Sequence, residues 1–136
     1  VDQAIQIYLS NNADYVGNEH IRSYPDGMDV EVISLNNLKR SASMTENLLD
    51  REHVTLHARN NPEIFRPIHL VAPSELYWPE LGLTLDEAAD YELLKRIIEH
   101  FGESDSLFSC LDVVRLLRAN SDWIAINQSV KRKGNT

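Results

Sequence analysis

Tyr24-Pro25-Asp26-Gly27-Met28-Asp29-Val30-Glu31-Val32 joins a tight turn directly to a strand. Pro25 presets its own φ, Asp26 has a side chain that can bond its own backbone, and Gly27 tolerates positive φ, so the first half reads as a turn. Beyond it the alternation puts Asp29 and Glu31 on one strand face and Val30 and Val32 on the other. A strand needs the valines to reach a core. It does not need three carboxylates within six residues. The acidic face is therefore the first place to look for substrate contacts.

The flanking segments alternate in type. Residues 1–11 have the spacing of an amphipathic helix, with Ala4, Ile5, Tyr8 and Leu9 apolar. Ala13–Gly17 reads as a short strand and 20–27 as a loop. Asp29–Ile33 is the strand described above. Ser34 is placed to cap a helix through Ala42, whose inner face would carry Leu35, Leu38 and Ala42. A second helix is expected over Thr45–Arg59, with a restart at Asp50 and a stop at Asn60-Asn61-Pro62. Ile68–Ala72 and Leu83–Leu85 read as strands. A helix over 87–100 would bury Tyr91, Leu94, Ile97 or Ile98, and Phe101, and Gly102 would end it. Ser109 would cap a last helix carrying Val113, Leu116 and Leu117. The tail, with Lys131-Arg132-Lys133-Gly134, reads as frayed. Strands alternating with helices define an α/β class, expected here as a single domain over 1–136.

Composition narrows the function. The 136 residues are 43% apolar and 25% charged, which supports a packed core. A net charge of −8 disfavours a nucleic-acid polymer or an anionic membrane as partner. It leaves open a nucleotide ligand, because a metal or local basic groups can reverse the field in one pocket. A single cysteine, Cys110, allows no internal disulfide and fits a cytoplasmic location. No apolar run approaches the roughly 18 residues of a membrane span. The chain starts in a helical pattern without an initiator Met, and the expectation is the later part of a longer polypeptide.

Four segments occur in order: Ala13-Asp14-Tyr15-Val16-Gly17-Asn18, the Tyr24–Val32 stretch, Arg51-Glu52-His53-Val54-Thr55, and Leu83-Thr84-Leu85-Asp86-Glu87. Asn127, in Ala125-Ile126-Asn127, accompanies them. Together they resemble the later half of the SpsF-like cytidylyltransferases of spore-coat polysaccharide synthesis. That group is similar to the enzymes that make CMP-Kdo and CMP-sialic acid. The resemblance implies a nucleotide-diphospho-sugar transferase fold, a Rossmann-like α/β/α sandwich with a mixed sheet. It also implies transfer of CMP from CTP to a sugar or sugar acid with release of pyrophosphate, Mg2+ as cofactor and a homodimer as the assembly. Two family features are missing from these residues: the basic, glycine-containing loop that grips the CTP phosphates and a Gly-Asp-x-Pro segment that supplies a metal ligand. The chain by itself is therefore expected not to turn over CTP. The alternative is an inactive binding or assembly module of the same fold, and an unrelated α/β enzyme is a third reading.

The resemblance assigns roles, and each residue also has a plainer one. Asp86, where a strand would give way to a helix, would hold the metal, or it is an N-cap. Thr84 and Glu87 would form a structural capping box. Asp26, Asp29 and Glu31 would line the sugar pocket, since one carboxylate accepts two hydroxyl hydrogen bonds. Alternatively Asp26 serves the turn, and Asp29 and Glu31 form a solvated strand face. Glu52 would sit at a helix end near the acceptor sugar. His53 would assist its deprotonation, or it is a buried, hydrogen-bonded wall residue. Arg22 and Tyr24 flank the turn and would touch substrate. Arg51 would pair with a neighbouring acid or with a substrate carboxylate. His53 and His57 lie four apart but lack a third ligand at zinc spacing. Trp78 packs a loop in the plainer reading. Gly82-Leu83 stands where relatives carry Arg-Trp, which leaves the identity of the sugar open.

Overall fold

The computed structural model describes residues 1–102 and 107–131; the basic tail from Arg132 lies outside them. The chain forms two compact units. The first combines Val1–Arg22 with Asp29–Val71, and the second combines Ser23–Met28 with the chain from Ala72 onward.

The first unit is built on a three-stranded mixed sheet of order β2-β1-β3, with β1 Tyr15–Gly17, β2 Glu31–Ile33 and β3 Pro67–His69. β1 runs antiparallel to β2, with Gly17 opposite Glu31, and parallel to β3, with Gly17 opposite His69. All three residues of the central strand are buried, as expected for a strand covered on both faces. Helix α1 (Asp2–Ser10) lies against β1 and β2 and buries Ala4, but Leu9 is 71% exposed, contrary to the expected inner face. Helix α2 (Leu35–Met44) starts where expected: Ser34 Oγ accepts the Asn37 N–H at 3.1 Å. Its buried residue is Ser41, while Leu35 is 65% exposed, so the inward stripe is rotated from the one expected.

The second expected helix is two short ones, α3 (Leu48–Glu52) and α4 (Leu56–Asn60). Asn47 caps α3, its Oδ1 accepting the Leu49 N–H at 2.9 Å, so helix begins after Asn47 rather than at Thr45, and the restart falls at Leu56 rather than at Asp50. The break at His53–Thr55 lets Thr55 turn inward to the sheet.

In the second unit, Pro25–Met28 closes a turn through Met28 N–H to the Pro25 carbonyl at 3.1 Å. Gly27 sits at φ +97, the position of a type II turn that demands positive φ. A Cβ there would also lie 2.8 Å from the Leu83 carbonyl carbon and oxygen. The turn brings Asp26 alongside Gly82 in an isolated parallel bridge, with Asp26 N–H on the Leu81 carbonyl (2.9 Å) and Leu83 N–H on the Asp26 carbonyl (2.8 Å). The strand expected over Leu83–Leu85 does not form: the segment makes a single bridge one residue earlier, at Gly82, because the turn carries its partner away after one residue.

Helix α5 (Ala88–Phe101) buries Asp90, Leu93 and Ile97, whereas Tyr91 is 54% and Ile98 59% exposed. The stripe lies one residue ahead of the expected one at Asp90 and Leu93 and coincides with it at Ile97, while Leu94 and Phe101 pack half-buried against the same core. Helix α6 (Cys110–Ala119) is capped by Ser109, as expected, and is followed by the short α7 (Ser121–Ile124). Leu81, Leu83, Leu93, Ile97, Val113, Val114 and Leu117 form this unit's core.

Candidate functional site

The carboxyl end of β1 gathers the polar groups of the first unit. Glu31, Gly17 and His69 stand in one row across β2, β1 and β3. In open α/β sheets, the crevice outside the carboxyl ends of parallel strands is where ligands bind. Beyond Gly17 the chain continues into Asn18, Glu19 and His20. Asn18 is buried and fixes the return strand: its Oδ1 accepts the Val30 N–H at 2.8 Å and its N–H reaches the Val30 carbonyl at 3.3 Å.

Glu31 is the centre of this group. Its Oε1 accepts the Tyr15 hydroxyl at 2.7 Å and the Thr55 hydroxyl at 2.8 Å, and lies 3.6 Å from Arg59 Nε. Tyr15 reaches it because Gly17 has no side chain; a Cβ at Gly17 would fall on the Tyr15 ring and hydroxyl. Arg59 Nη1 is paired with Glu19. Burial, then the hydrogen bond and charge of Glu31, push the Tyr15 phenol far above its ordinary pKa, so it stays a donor. Burial raises the Glu19 carboxyl above its usual range; Arg59 opposes this, while a side-chain hydrogen bond and charge from Glu31 and the charge of Asp29 add to it. Glu19, Asp29 and Glu31 are therefore mutually felt. At the same edge His20 and His69 stack at 4.1 Å, and burial, then His20, lowers the His69 pKa.

The helix residues singled out from sequence lie elsewhere in this unit. Glu52 ends α3 and His53 is its C-cap, its N–H on the Leu49 carbonyl at 2.9 Å; both are exposed. The buried, wall-forming His53 of the plainer reading is not present. The shielded histidine of this segment is His57, 15% exposed and 3.6 Å from Asp50. Arg51 lies 3.9 Å from Glu46 and borders a cavity of about 250 Å³ walled by Leu38, Ala42 and Val54. Arg22 is exposed.

In the second unit Asp26 is half-buried in its turn, its backbone held to the Leu81–Leu83 segment. Asp86 is exposed and its carboxylate makes no hydrogen bond or ion pair among the described residues. It is not the helix cap. Glu87 is the cap residue, and Asp90 Oδ2 accepts the N–H groups of Glu87 (3.0 Å) and Asp86 (3.1 Å). The capping box is thus Glu87 with Asp90, not Thr84 with Glu87. Asp90 is fully buried, and its Oδ1 accepts Asn127 Nδ2 at 2.8 Å; the same Nδ2 donates to the Gly82 carbonyl at 3.0 Å. Asp90 and Asn127 thereby lock the corner that presents Asp86.

Sequence reading passed over Glu19, Arg59 and Asp90. Glu19 lies outside the alternating pattern, and Arg59 was absorbed into a helix end. Asp90 had one available signal, its position three residues after Glu87 in a first helical turn. Among the described residues no three His, Cys, Asp or Glu side chains gather to hold a metal. Magnesium keeps most of its waters and needs one or two protein carboxylates beside substrate phosphates, so a single unengaged carboxylate such as Asp86 suits it. Cys110 has its pKa raised by burial, which keeps it a thiol.

Comparison with known proteins defines the class. A solved cytidylyltransferase from Leptospira borgpetersenii serovar Hardjo-bovis superposes with a TM-score of 0.80 at 27% identity, over 97% of this chain and 53% of that one. The fold is α/β, of the nucleotide-diphospho-sugar transferase kind. The spore coat polysaccharide biosynthesis protein SpsF of Bacillus subtilis is 34% identical over 90% of this chain and 50% of its own length. An uncharacterised protein of Methanocaldococcus jannaschii is 27% identical over 98% of the chain and 53% of its own length. No protein-family model matches. The chain is a relative of the SpsF-like cytidylyltransferases, and it spans about half the length of the curated relatives it matches.

Proposed function

We propose that this chain supplies the sugar-binding and metal-binding part of a cytidylyltransferase that moves CMP from CTP to a surface-polysaccharide sugar or sugar acid, releasing pyrophosphate. The observation that carries this reading is the carboxylate set at the end of β1, buttressed by Tyr15, Thr55 and Arg59. Partly exposed carboxylates fixed in place are suited to accept hydrogen bonds from vicinal sugar hydroxyls. Asp29 and Glu31 take that role, with Asp26 and Arg22 as further substrate contacts.

Asp86 would hold Mg2+. When bound, that ion neutralises the phosphate oxygens of CTP and the pyrophosphate leaving group. Asp90 and Asn127 hold the backbone that carries Asp86. Glu52 and His53, exposed at the end of α3, are free to reach an acceptor, with His53 taking the hydroxyl proton. A homodimer and a cytoplasmic setting belong to the same reading; no described helix is long and apolar enough to cross a membrane.

The test is pyrophosphate release from CTP and Mg2+ by the complete cytidylyltransferase of this proposal, with a panel of neutral hexoses and the sugar acids Kdo and sialic acid. Asp86→Asn is expected to lower kcat at least a hundredfold, as removal of a direct metal ligand does. Undiminished turnover in that variant would end the metal assignment.

A further inference from the structure

The carboxylate pair at the end of β1 is more organised than a solvated acidic face requires. Glu31 Oε1 is saturated by Tyr15 and Thr55, with Arg59 Nε at 3.6 Å. A carboxylate has about four acceptor positions over its two oxygens, so these contacts leave Glu31 capacity to accept further hydrogen bonds. Arg59 reaches the second acid, Glu19, through Nη1. The three side chains are each between 25% and 32% exposed, shielded yet reachable. Arg59 Nε is itself buried and makes no hydrogen bond among the described residues.

Resting on the sugar-transfer reading above, we infer that Arg59 is a positioning residue that holds Glu31 and Glu19 as a matched pair of hydroxyl acceptors, and that this pair sets selectivity for a polyhydroxylated acceptor. Without Arg59 two adjacent carboxylates repel each other, and the pair would splay or take up a proton. With it, both stay in place at an edge where the sheet itself fixes Glu31 opposite Gly17. Glu19 thus becomes a specificity residue, although it lies outside the alternating strand that first drew attention to the acids. Arginine suits the post because its planar fork contacts two carboxylates at once, which a lysine ammonium does not do as rigidly.

The experiment titrates the protein with Kdo, sialic acid and neutral hexoses in the absence of CTP, and separately measures KM for acceptor and for CTP in the complete enzyme. Arg59→Met and Glu19→Gln are each expected to weaken acceptor binding about tenfold, the effect of one charge-assisted hydrogen bond. KM for CTP should stay within twofold, and Arg59→Lys should recover part of the loss. Thermal melts accompany each variant; if Arg59→Met does not fold, Glu19→Gln and Glu19→Asp carry the test. Acceptor binding unchanged within twofold in Glu19→Gln, or equal losses for acceptor and CTP, would overturn the inference. Absence of any sugar binding by the parent protein would overturn it too. Sugar binding that depends on Glu19 and Arg59 without nucleotidyl transfer would support it while refuting the transfer reading.

Discussion

At the residue scale, small changes with large consequences cluster around Tyr15. Its hydroxyl is buried on Glu31, and Gly17 makes the room. Tyr15→Phe leaves the Glu31 carboxylate short of one donor and should cost about 1–3 kcal/mol, read as a shifted urea midpoint at constant slope. Gly17→Ala places a methyl on the Tyr15 ring in a fully buried strand and should cost at least as much, about 1–3 kcal/mol. Asn127→Ala removes a side-chain donor to Asp90 Oδ1 and uncovers the Gly82 carbonyl, again about 1–3 kcal/mol. An Asn127→Ala protein as stable as its parent would contradict the role of this pair in locking the Asp86 corner. These contacts join residues far apart in the chain, 16, 37 and 45 positions, which no local pattern reports.

At the scale of elements, the caps were the most legible features. Ser34 and Ser109 were readable as helix starts because a hydroxyl beside an apolar run has few other uses, and both accept the N3 N–H. Ser34→Ala should cost about 1 kcal/mol in thermal or urea unfolding. Asp112 completes the second box, its Oδ2 accepting the Ser109 N–H at 2.8 Å and hydroxyl at 2.6 Å. The Ser109 side-chain hydrogen bond, then its backbone one, holds the Asp112 carboxyl below its ordinary pKa. A carboxylate whose pKa is depressed in the fold stabilises above its unfolded pKa and loses that contribution as pH falls through the folded value. Ser109→Ala should therefore flatten the acid limb of a stability-versus-pH curve below about pH 4 and leave its shape unchanged above pH 6. Helix phase was less legible. In α5 the apolar residues Tyr91 and Ile98 fit a stripe as well as Leu93 and Ile97 do, and only the buried Asp90, paired with Asn127, decides which side turns inward. The expected long helix over Thr45–Arg59 failed for a similar reason: Thr55 is drawn to Glu31, and the helix breaks to let it go.

At the scale of the whole molecule, the class was readable before any contact was known, because strands and helices alternate and four ordered segments carry a family likeness. That likeness is matched by the Leptospira and Bacillus proteins over nearly the entire chain. Both units leave large apolar side chains in solvent, among them Leu9 at 71%, Leu48 at 84% and Leu85 at 64%. Surface of that kind favours burial against another chain. The chain is expected to self-associate at micromolar concentration, with light scattering giving a mass above the 15.5 kDa of one copy. A clean monomer across that range would count against the homodimer reading.

The sequence by itself determined the α/β class, the Pro25–Gly27 turn, two serine caps and a strand carrying Glu31, because each depends on residues close together in the chain; Asp29, expected in that strand, lies before it. Only the tertiary structure decided which acids act as a group. Glu19, Glu31 and Arg59 meet because β1, β2 and α4 fold onto one another, and Asp90 turns inward because Asn127, 37 residues away, is there to satisfy it. A buried charge or hydrogen bond is tolerated only where its partner arrives, and the partner's arrival is a property of the fold rather than of any local stretch.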